Sequence, residues 1–443
     1  MTEPIPHGAA QQTPVVLPLR CEFVGDVAAF ERLSAEWDLL LTSSAQQSFF
    51  LRFAWVRAWW RHYAPRGARL YVICCRDANG CLVGIAPWYV RQHRLFGVPY
   101  LRELAFIGTG IDADTSEFMD LIAHRHQETS VTRAVADFLM SRADWDRLYM
   151  NHVPSDSSCL QNLLAAFGGR ASGQPCDRAP YVDTAGTWDD YRRSLGRSMR
   201  RNVEYYARRL FNHRRCEFNR ASTRSDAHVA LDALVRLHQL RWQSAGHPGS
   251  FSDRSLHHLL RETLDEQFEA GRVLLWTLSI DGQIEAALLG FLDNGTLHYF
   301  QMGFNPAYSR DDIGTALLGL CLRNSFEDPA IRVFDFMGGG DGYKQLWARS
   351  SRSTTTCVAD SRNLRTWLHW AHARLWQFST TVYRRLTPMS LRLARRDFIR
   401  ARIRQRLSAI RERSSQAFLA FSCQAADVLE VVNPFAQSAA SFV

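Results

Sequence analysis

The sequence predicts a mixed α/β fold, of α+β type with a mixed sheet, built as two tandem halves and a C-terminal helical tail. Three observations carry that prediction. At 443 residues the chain exceeds one ordinary domain. A two-stranded hairpin pattern occurs twice, and each time a helix, a strand and another helix follow it. Strand patterning then ends, and from Leu364 onward only helical spacing remains.

Residues 1–19 carry Pro4, Pro6 and Pro14 but no basic segment leading into an apolar run, so they read as a short leader without a signal peptide. The first half spans 20–186. In it Ala54–Tyr63 is helical, Leu70–Arg76 alternates as a strand, Asp77–Gly80 signals a turn and Cys81–Val90 returns. Val131–Arg142, Asp146–His152 and Ser157–Phe167 complete it as helix, strand and helix. The boundary falls in Pro180–Trp188, and the second half runs over 187–360. It opens with an Arg-rich helix, Tyr191–Phe211, and a second helix, Ala227–Gln243, stopped by Gly246, Pro248 and Gly249. Helix Ser255–Ala270 precedes the hairpin Val273–Ile280 and Ile284–Leu292, turned by Asp281-Gly282. A third strand, Thr296–Phe304, leads to Ile313–Phe326, Arg332–Met337 and Gly342–Ala348. In the tail, 361–443, Ile399, Ile403, Leu407, Ile410 and Phe418 form an apolar stripe at helical spacing, with arginines largely on the other faces.

Composition narrows the function classes. Hydrophobic content of 46% and aromatic content of 12% suit packed cores and exclude a disordered chain. Apolar runs such as Val273–Leu278 are strand-length, short of the roughly 18–20 residues that cross a bilayer. Ten cysteines without a Cys-x-x-Cys pair argue against a zinc ribbon, and a reducing cytoplasm is the simplest compartment. His257, His258, His369 and His372 lack the acidic or cysteine partners of a ligand set, so no metal is expected. Fourteen arginines against four acidic residues give the tail a charge of +10, which leaves about −1 for the rest of a chain whose net charge is +9. A DNA-binding face is therefore not expected. The tail has three readings: packing on the body or on itself, binding a partner protein, or lying on an anionic membrane surface at the inner face.

One bias singles out a position. Of 53 basic residues 52 are arginine, and Lys344 is the sole lysine. Either the position needs a compact ammonium, or a movable pKa, that arginine cannot supply, or it is neutral drift. Lys344 sits in the most informative stretch. Strand Thr296–Phe304 ends in Gly303-Phe304-Asn305-Pro306, and a loop leads to a helix opening at Gly314-Thr315. Such a strand–loop–helix unit presents free backbone N–H groups and a positive dipole end, which suits an anion. The next strand holds Asp335 and leaves through Gly338-Gly339-Gly340 into Asp341, Tyr343, Lys344 and Trp347. That places them at the carboxyl edge of the sheet, where open α/β folds bind ligands. The bland alternative is a glycine-rich turn with Trp347 packed as core.

These residues resemble the CelD-type acetyltransferases of the GNAT superfamily. The motifs are Gly303-Phe304-Asn305-Pro306, Gly314-Thr315-x-Leu-Leu, Phe334-Asp335-Phe336-x-Gly and Tyr343-Lys344-x-x-Trp347, with Arg241-Trp242 and the basic segment Leu195–Leu210 fitting the same pattern. The likeness covers about 20–360, the first half matching in layout only, and the tandem arrangement is similar to FemAB-type peptidyltransferases. The resemblance implies two GNAT-like acyltransferase domains of bacterial type, the second carrying the site. Its activity would be N- or O-acetyl transfer from acetyl-CoA, or another acyl-CoA, to a small-molecule, saccharide or envelope-precursor acceptor. Gly303, Ser309, Arg310, Gly314 and Thr315 would hold the donor. Tyr343 would protonate the leaving thiolate, Glu285 or Asp335 would take the acceptor's proton, and Lys344 would bind a phosphate or the acceptor. Arg241, Trp242, Tyr299, Gln301 and Asp341 would line the acceptor side.

The donor loop departs from the family pattern Gln/Arg-x-x-Gly-x-Gly/Ala. Here it reads Arg310-Asp311-Asp312-Ile313-Gly314, and two aspartates oppose a diphosphate unless they point away. Two alternatives therefore stand beside acyl-CoA transfer. One is an aminoacyl-tRNA donor held through the Arg-rich helix at 192–209. The other is a non-catalytic acyltransferase-like scaffold tethered by its tail.

Overall fold

The computed structural model describes residues 19–95, 97–110, 115–339, 342–361, 363–371 and 374. They form two compact units: residues up to 91 with 104–359, and 92–103 with the described part of 360–443. The leader 1–18 and the tail stripe from Ile399 to Phe418 lie outside the described residues.

In chain order the first half comprises β1 (Arg20–Val24), α1 (Val27–Arg32), α2 (Ser34–Ser43), α3 (Phe53–Tyr63), β2 (Arg69–Arg76), β3 (Leu82–Leu95), β4 (Val98–Phe106), β5 (Ile122–Ala123), α4 (Glu128–Met140), β6 (Arg147–Pro154), α5 (Ser158–Phe167) and β7 (Ala171–Asp183). The second comprises α6 (Trp188–Ser194), α7 (Arg197–His213), β8 (Cys216–Arg220), α8 (Arg224–Ser244), α9 (Arg254–Gln267), β9 (Val273–Ile280), β10 (Gln283–Asp293), β11 (Thr296–Phe304), α10 (Ile313–Glu327), β12 (Val333–Asp335), α11 (Lys344–Trp347) and β13 (Ser350–Asp360).

Both halves contribute to one mixed sheet, in the order β1-β2-β3-β4-β6-β13-β7-β12-β11-β10-β9-β8, with β5 beside β3. The repeat of hairpin, helix, strand and helix is present twice, as the sequence predicts. Several limits shift, β3 for example running on to Leu95, and two of the differences bear on the site. The single helix expected over Tyr191–Phe211 is two, because Leu195 and Gly196 leave helical geometry and Leu195 buries its side chain between α6 and α7. The strand expected over Arg332–Met337 stops at Asp335, whose carboxylate accepts the Met337 amide at 2.7 Å while Met337 adopts a φ of 58°.

The halves also share a core. Phe49, just before α3, stacks on Phe291 of β10 with ring centroids 4.3 Å apart. Beside it Arg52 forks onto Asp293, donating from Nε at 2.8 Å and Nη2 at 2.7 Å, with both side chains buried. A paired, doubly hydrogen-bonded charge of this kind fixes orientation as well as energy. On the second half's own side, α8 crosses β11 so closely that a Cβ at Gly303 would lie 2.6 Å from the His238 backbone nitrogen and 2.7 Å from the Leu234 carbonyl oxygen. The glycine opening the Gly303-Phe304-Asn305-Pro306 motif thus admits a helix backbone. Among the described residues no helix is long and apolar enough to cross a membrane.

Candidate active site

The sheet opens between β11 and β12. They pair in parallel only over Thr296↔Val333, Leu297↔Phe334 and His298↔Asp335. β11 continues to Phe304 against β10, while β12 turns away at Asp335. Beyond the fork, the backbone edge of β11 from Tyr299 onward faces a gap, with no strand partner on that side among the described residues. A bulge opposite Leu289 and Gly290 lets Phe300 slip from the register and re-aims the residues entering the fork.

Several of the singled-out residues gather along this gap. The Tyr343 hydroxyl lies 3.4 Å from that of Tyr299; Tyr343 is 37% exposed, whereas Tyr299 is buried, and its phenol is held far above the usual range by that burial and by Tyr343. The Arg241 guanidinium is close enough to oppose that shift and lies 4.7 Å from the centre of the Phe304 ring. That ring in turn covers Gly314 at the start of α10. Trp242 is exposed beside Arg241, and Gln301 is half-buried on β11.

At the α10 start, Asp312 takes a left-handed conformation and makes no side-chain cap. The first-turn amides are left for solvent or an anion. Asp311 is drawn aside by Arg209 at 3.2 Å and Arg214 at 3.9 Å, so one of the two aspartates expected to oppose a diphosphate is neutralised. Ser309 and Arg310 are exposed on a short 3-10 segment, Pro306–Asp311, and Thr315 is half-buried in the first helical turn.

Lys344 and Asp335 belong to a second cluster, under the glycine turn. Lys344 is only 7% exposed, and its Nζ donates to the carbonyls of Met337, at 3.4 Å, and Gly338. Asp335 is fully buried; desolvation pushes its carboxyl up to about 7, against the pull of Arg352, 3.4 Å away, and the Met337 amide. The first half supplies two further carboxylates. Glu117 accepts the Gly338 amide at 2.7 Å and Asp177 the Gly339 amide at 2.6 Å. Burial pushes the Glu117 carboxyl above its usual range, against His152, the Gly338 amide and Lys344. A Cβ at Gly338 would sit 2.7 Å from Asp177 Oδ2, so a side chain there would displace that carboxylate. Next to Asp177, the Cys176 thiol donates to Asn151 Oδ1 at 3.2 Å and lies 3.6 Å from His152 Nδ1. Burial opposes it, yet the hydrogen bond and charge of His152 hold that thiol below its usual value. Three non-glycine residues around this cluster have positive φ: Phe118, His152 and Met337. Strained backbone of this kind gathers at functional sites.

The two carboxylates expected as alternative bases lie at separate places. Glu285 lies at a bulge in β10 and accepts from the Asn305 side chain at 2.9 Å. Asp335 pairs with His298, at the other end of β11. Six residues of strand put about 20 Å between the two places. Asp341 lies outside the described residues. Among the described residues no group of three or more His, Cys, Asp or Glu is arranged to hold a metal.

Residues 197–345 match the model of the acetyltransferase (GNAT) domain. The fork, α10 and the Tyr343–Lys344 turn all fall inside this GNAT segment. No curated protein matches the sequence. Among solved structures the chain is similar to FemX, at 12% identity over 76% of this chain and 96% of that one, with a TM-score of 0.52. It is also similar to L-PGS from Bacillus licheniformis, at 10% identity over 79% and 94%, TM-score 0.44. A tandem GNAT protein from the clavulanic acid biosynthesis pathway matches at 13% identity over 78% and 99%, TM-score 0.40. The likeness to FemX is one of fold, and it spans both halves and not the GNAT segment alone.

Glu117, His152, Cys176, Asp177 and Arg352 went unnoticed in the sequence. They come from the loop after β4 (Glu117), from β6 (His152), from β7 (Cys176 and Asp177) and from β13 (Arg352), and no local motif announces their meeting. Asp335 yields a pH prediction. Its carboxyl ordinarily titrates near 3.8 and here near 7, so the native state holds a proton that the unfolded chain has lost. Stability from that proton is withdrawn as pH rises from about 4 to about 7. Asp335→Asn keeps the acceptor for the Met337 amide but not the titration. The variant's Tm minus the parent's is expected to climb over that window and then level off; a difference independent of pH removes the assignment.

Proposed function

We propose that the chain is an acyltransferase whose second half moves an acyl group from acyl-CoA directly to an amine or hydroxyl acceptor. The observation that carries this reading is the fork between β11 and β12 opening beside the uncapped start of α10. The GNAT match over that segment and the CelD-type motifs within it support the same chemistry. A thioester donor laid along the free edge of β11 would meet backbone groups from Tyr299 to Phe304. Its diphosphate would lie against the amides at Ile313–Thr315. The acceptor attacks the thioester carbonyl, a tetrahedral oxyanion forms, and its collapse expels the thiolate. Tyr343, at the mouth of the gap, would give the thiolate its proton, with the Tyr299 hydroxyl 3.4 Å away to orient it. Asp335, at the vertex of the fork with a carboxyl titrating near neutrality, would take the acceptor's proton through water. Lys344 acts as a positioning group, clamping the turn on which Tyr343 stands.

Thermal unfolding with acetyl-CoA tests the donor. A ligand present at about 100 times its Kd stabilises the native state by about 2.7 kcal/mol, which is a measurable rise in Tm. Folded protein whose Tm does not move at millimolar acetyl-CoA would exclude acyl-CoA as donor. The acceptor belongs to the small-molecule, saccharide or envelope-precursor class.

A further inference from the structure

At the end of the sheet opposite β8, strand β1 has one strand neighbour among the described residues, β2. The register sets Cys21 directly opposite Cys75, and Phe23 opposite Ile73 on the same face. Directly opposed residues of an antiparallel pair have Cα atoms about 4.5 or about 5.5 Å apart. Both separations fall inside the range of about 4.4–6.8 Å that a disulfide spans. The side chains turn toward each other, so that Cys21 Sγ lies 2.9 Å from Cys75 Sγ, and both are free thiols. Cys74 cannot take the place of Cys75, because it stands opposite Glu22 and points to the other face.

The two thiols are unequal. Cys21 is half-buried and Cys75 buried. A hydrogen bond from Cys75 holds the Cys21 thiol below its usual value, against burial and Asp137 of α4. The same hydrogen bond, with burial, pushes the Cys75 thiol up. An accessible attacking thiol beside a sheltered resolving one suits thiol–disulfide exchange. The two cysteines are 54 positions apart, and the segment between them holds α1, α2 and α3. It also holds Phe49 and Arg52, which seat the first half on Phe291 and Asp293. A covalent link at its ends closes that segment into a loop and removes freedom it would gain on unfolding. We propose that Cys21 and Cys75 are a reversible redox site for a low-molecular-weight disulfide, and that the closed form locks the segment carrying Phe49 and Arg52. The Cys21 thiolate attacks one sulfur of the small disulfide, a mixed disulfide forms and one small thiolate leaves. Cys75 then attacks Cys21 Sγ, the intramolecular bond forms, and the second small thiolate departs with the Cys75 proton. Two protein thiols are oxidised, and one small disulfide is reduced to two thiols. A thiol reductant reverses both steps. The pair stands far along the sheet from the fork, and its chemistry does not depend on the acyl-transfer reading.

The full chain, folded and in native buffer, is incubated with oxidised glutathione. Remaining thiols are then alkylated and the unreduced peptides mapped by mass spectrometry. The peptides holding Cys21 and Cys75 are expected to be joined, with the protein lighter by two hydrogens and its Tm raised by several degrees. Dithiothreitol should reverse all three changes. Cys21→Ser, with parental circular dichroism, should lose both the link and the rise in Tm. Cys81→Ser, which removes an exposed thiol just before β3, should keep both. Glutathione retained on Cys21 without closure overturns the proposal, because the two sulfurs would then be unable to exchange in the folded chain. A link that forms only in urea overturns it for the same reason. A closed protein whose Tm is unchanged or lower removes the lock, and so does a rise in Tm that survives in Cys21→Ser.

Discussion

Lys344→Ala is expected to destabilise the protein by about 3–5 kcal/mol, the largest stability effect of any substitution considered for this chain. The ammonium is buried with Glu117 and Asp335 nearby and donates to the carbonyls of Met337 and Gly338. Removing it leaves two carbonyls short of a donor and two buried carboxyls without that compensating charge. Lys344→Arg is the sharper experiment. The chain uses arginine at every other basic position, so a tolerated arginine here would mean that charge alone suffices. A guanidinium is planar and broad, and the recess under the Met337–Gly338 carbonyls is filled by a single nitrogen, so arginine is expected to lower Tm by several degrees as well. Chemical denaturation of the three proteins decides it, and an arginine variant as stable as the parent defeats the account.

Tyr343→Phe is expected to lower kcat by about 10²–10⁴, the range for loss of a positioned general acid, with little change in Tm. The ring remains, and the lost hydroxyl sits at a partly exposed position, 3.4 Å from another phenol. Thiol release from acetyl-CoA, followed with a panel of primary amines and amino sugars, provides the readout. KM for the donor should hold, because the hydroxyl is assigned to the leaving group and not to the diphosphate. A variant turning over within about threefold of the parent would remove Tyr343 from proton transfer and leave the fork as a binding site only.

Much of this architecture is legible in the residues. The hairpins are readable because alternating apolar runs are separated by Asp-Gly and Asn-Gly turns, and the structure places strands at Val273–Ile280 and Thr296–Phe304 with the predicted limits. The glycine-rich exit after Asp335 is readable because few sequences other than a tight turn need such a run. By contrast β7 and β13 carry runs such as Ser-Gly-Gln and Ser-Thr-Thr-Thr, with little apolar alternation. Their strand character comes from neighbours on both sides, a tertiary effect that overrides local propensity. Because Asp177 and Arg352 lie on those two strands, the same silence hid them. Asp335 and Lys344 were visible as residues, but not their inward orientation, which depends on carboxylates more than 150 positions away. The split of Tyr191–Phe211 into α6 and α7 was hidden for another reason. Its arginine-rich composition is helix-compatible throughout, and only the burial of Leu195 shows why the chain breaks there.

The position of β13 bears on how the protein is made. This strand is late in the chain, yet it slots between β6 and β7, one from each flank of a sheet whose other strands have already emerged from the ribosome. Until residue 360 is available, β6 and β7 each present an open edge, and the acidic turn-holding groups have no fixed frame. A nascent chain must therefore wait for a contact spanning some two hundred residues, which makes its maturation slow and dependent on protection from edge-to-edge association. Expressing either half by itself would remove the closing strand or its seat, so the unit that evolution can copy or trim is the pair.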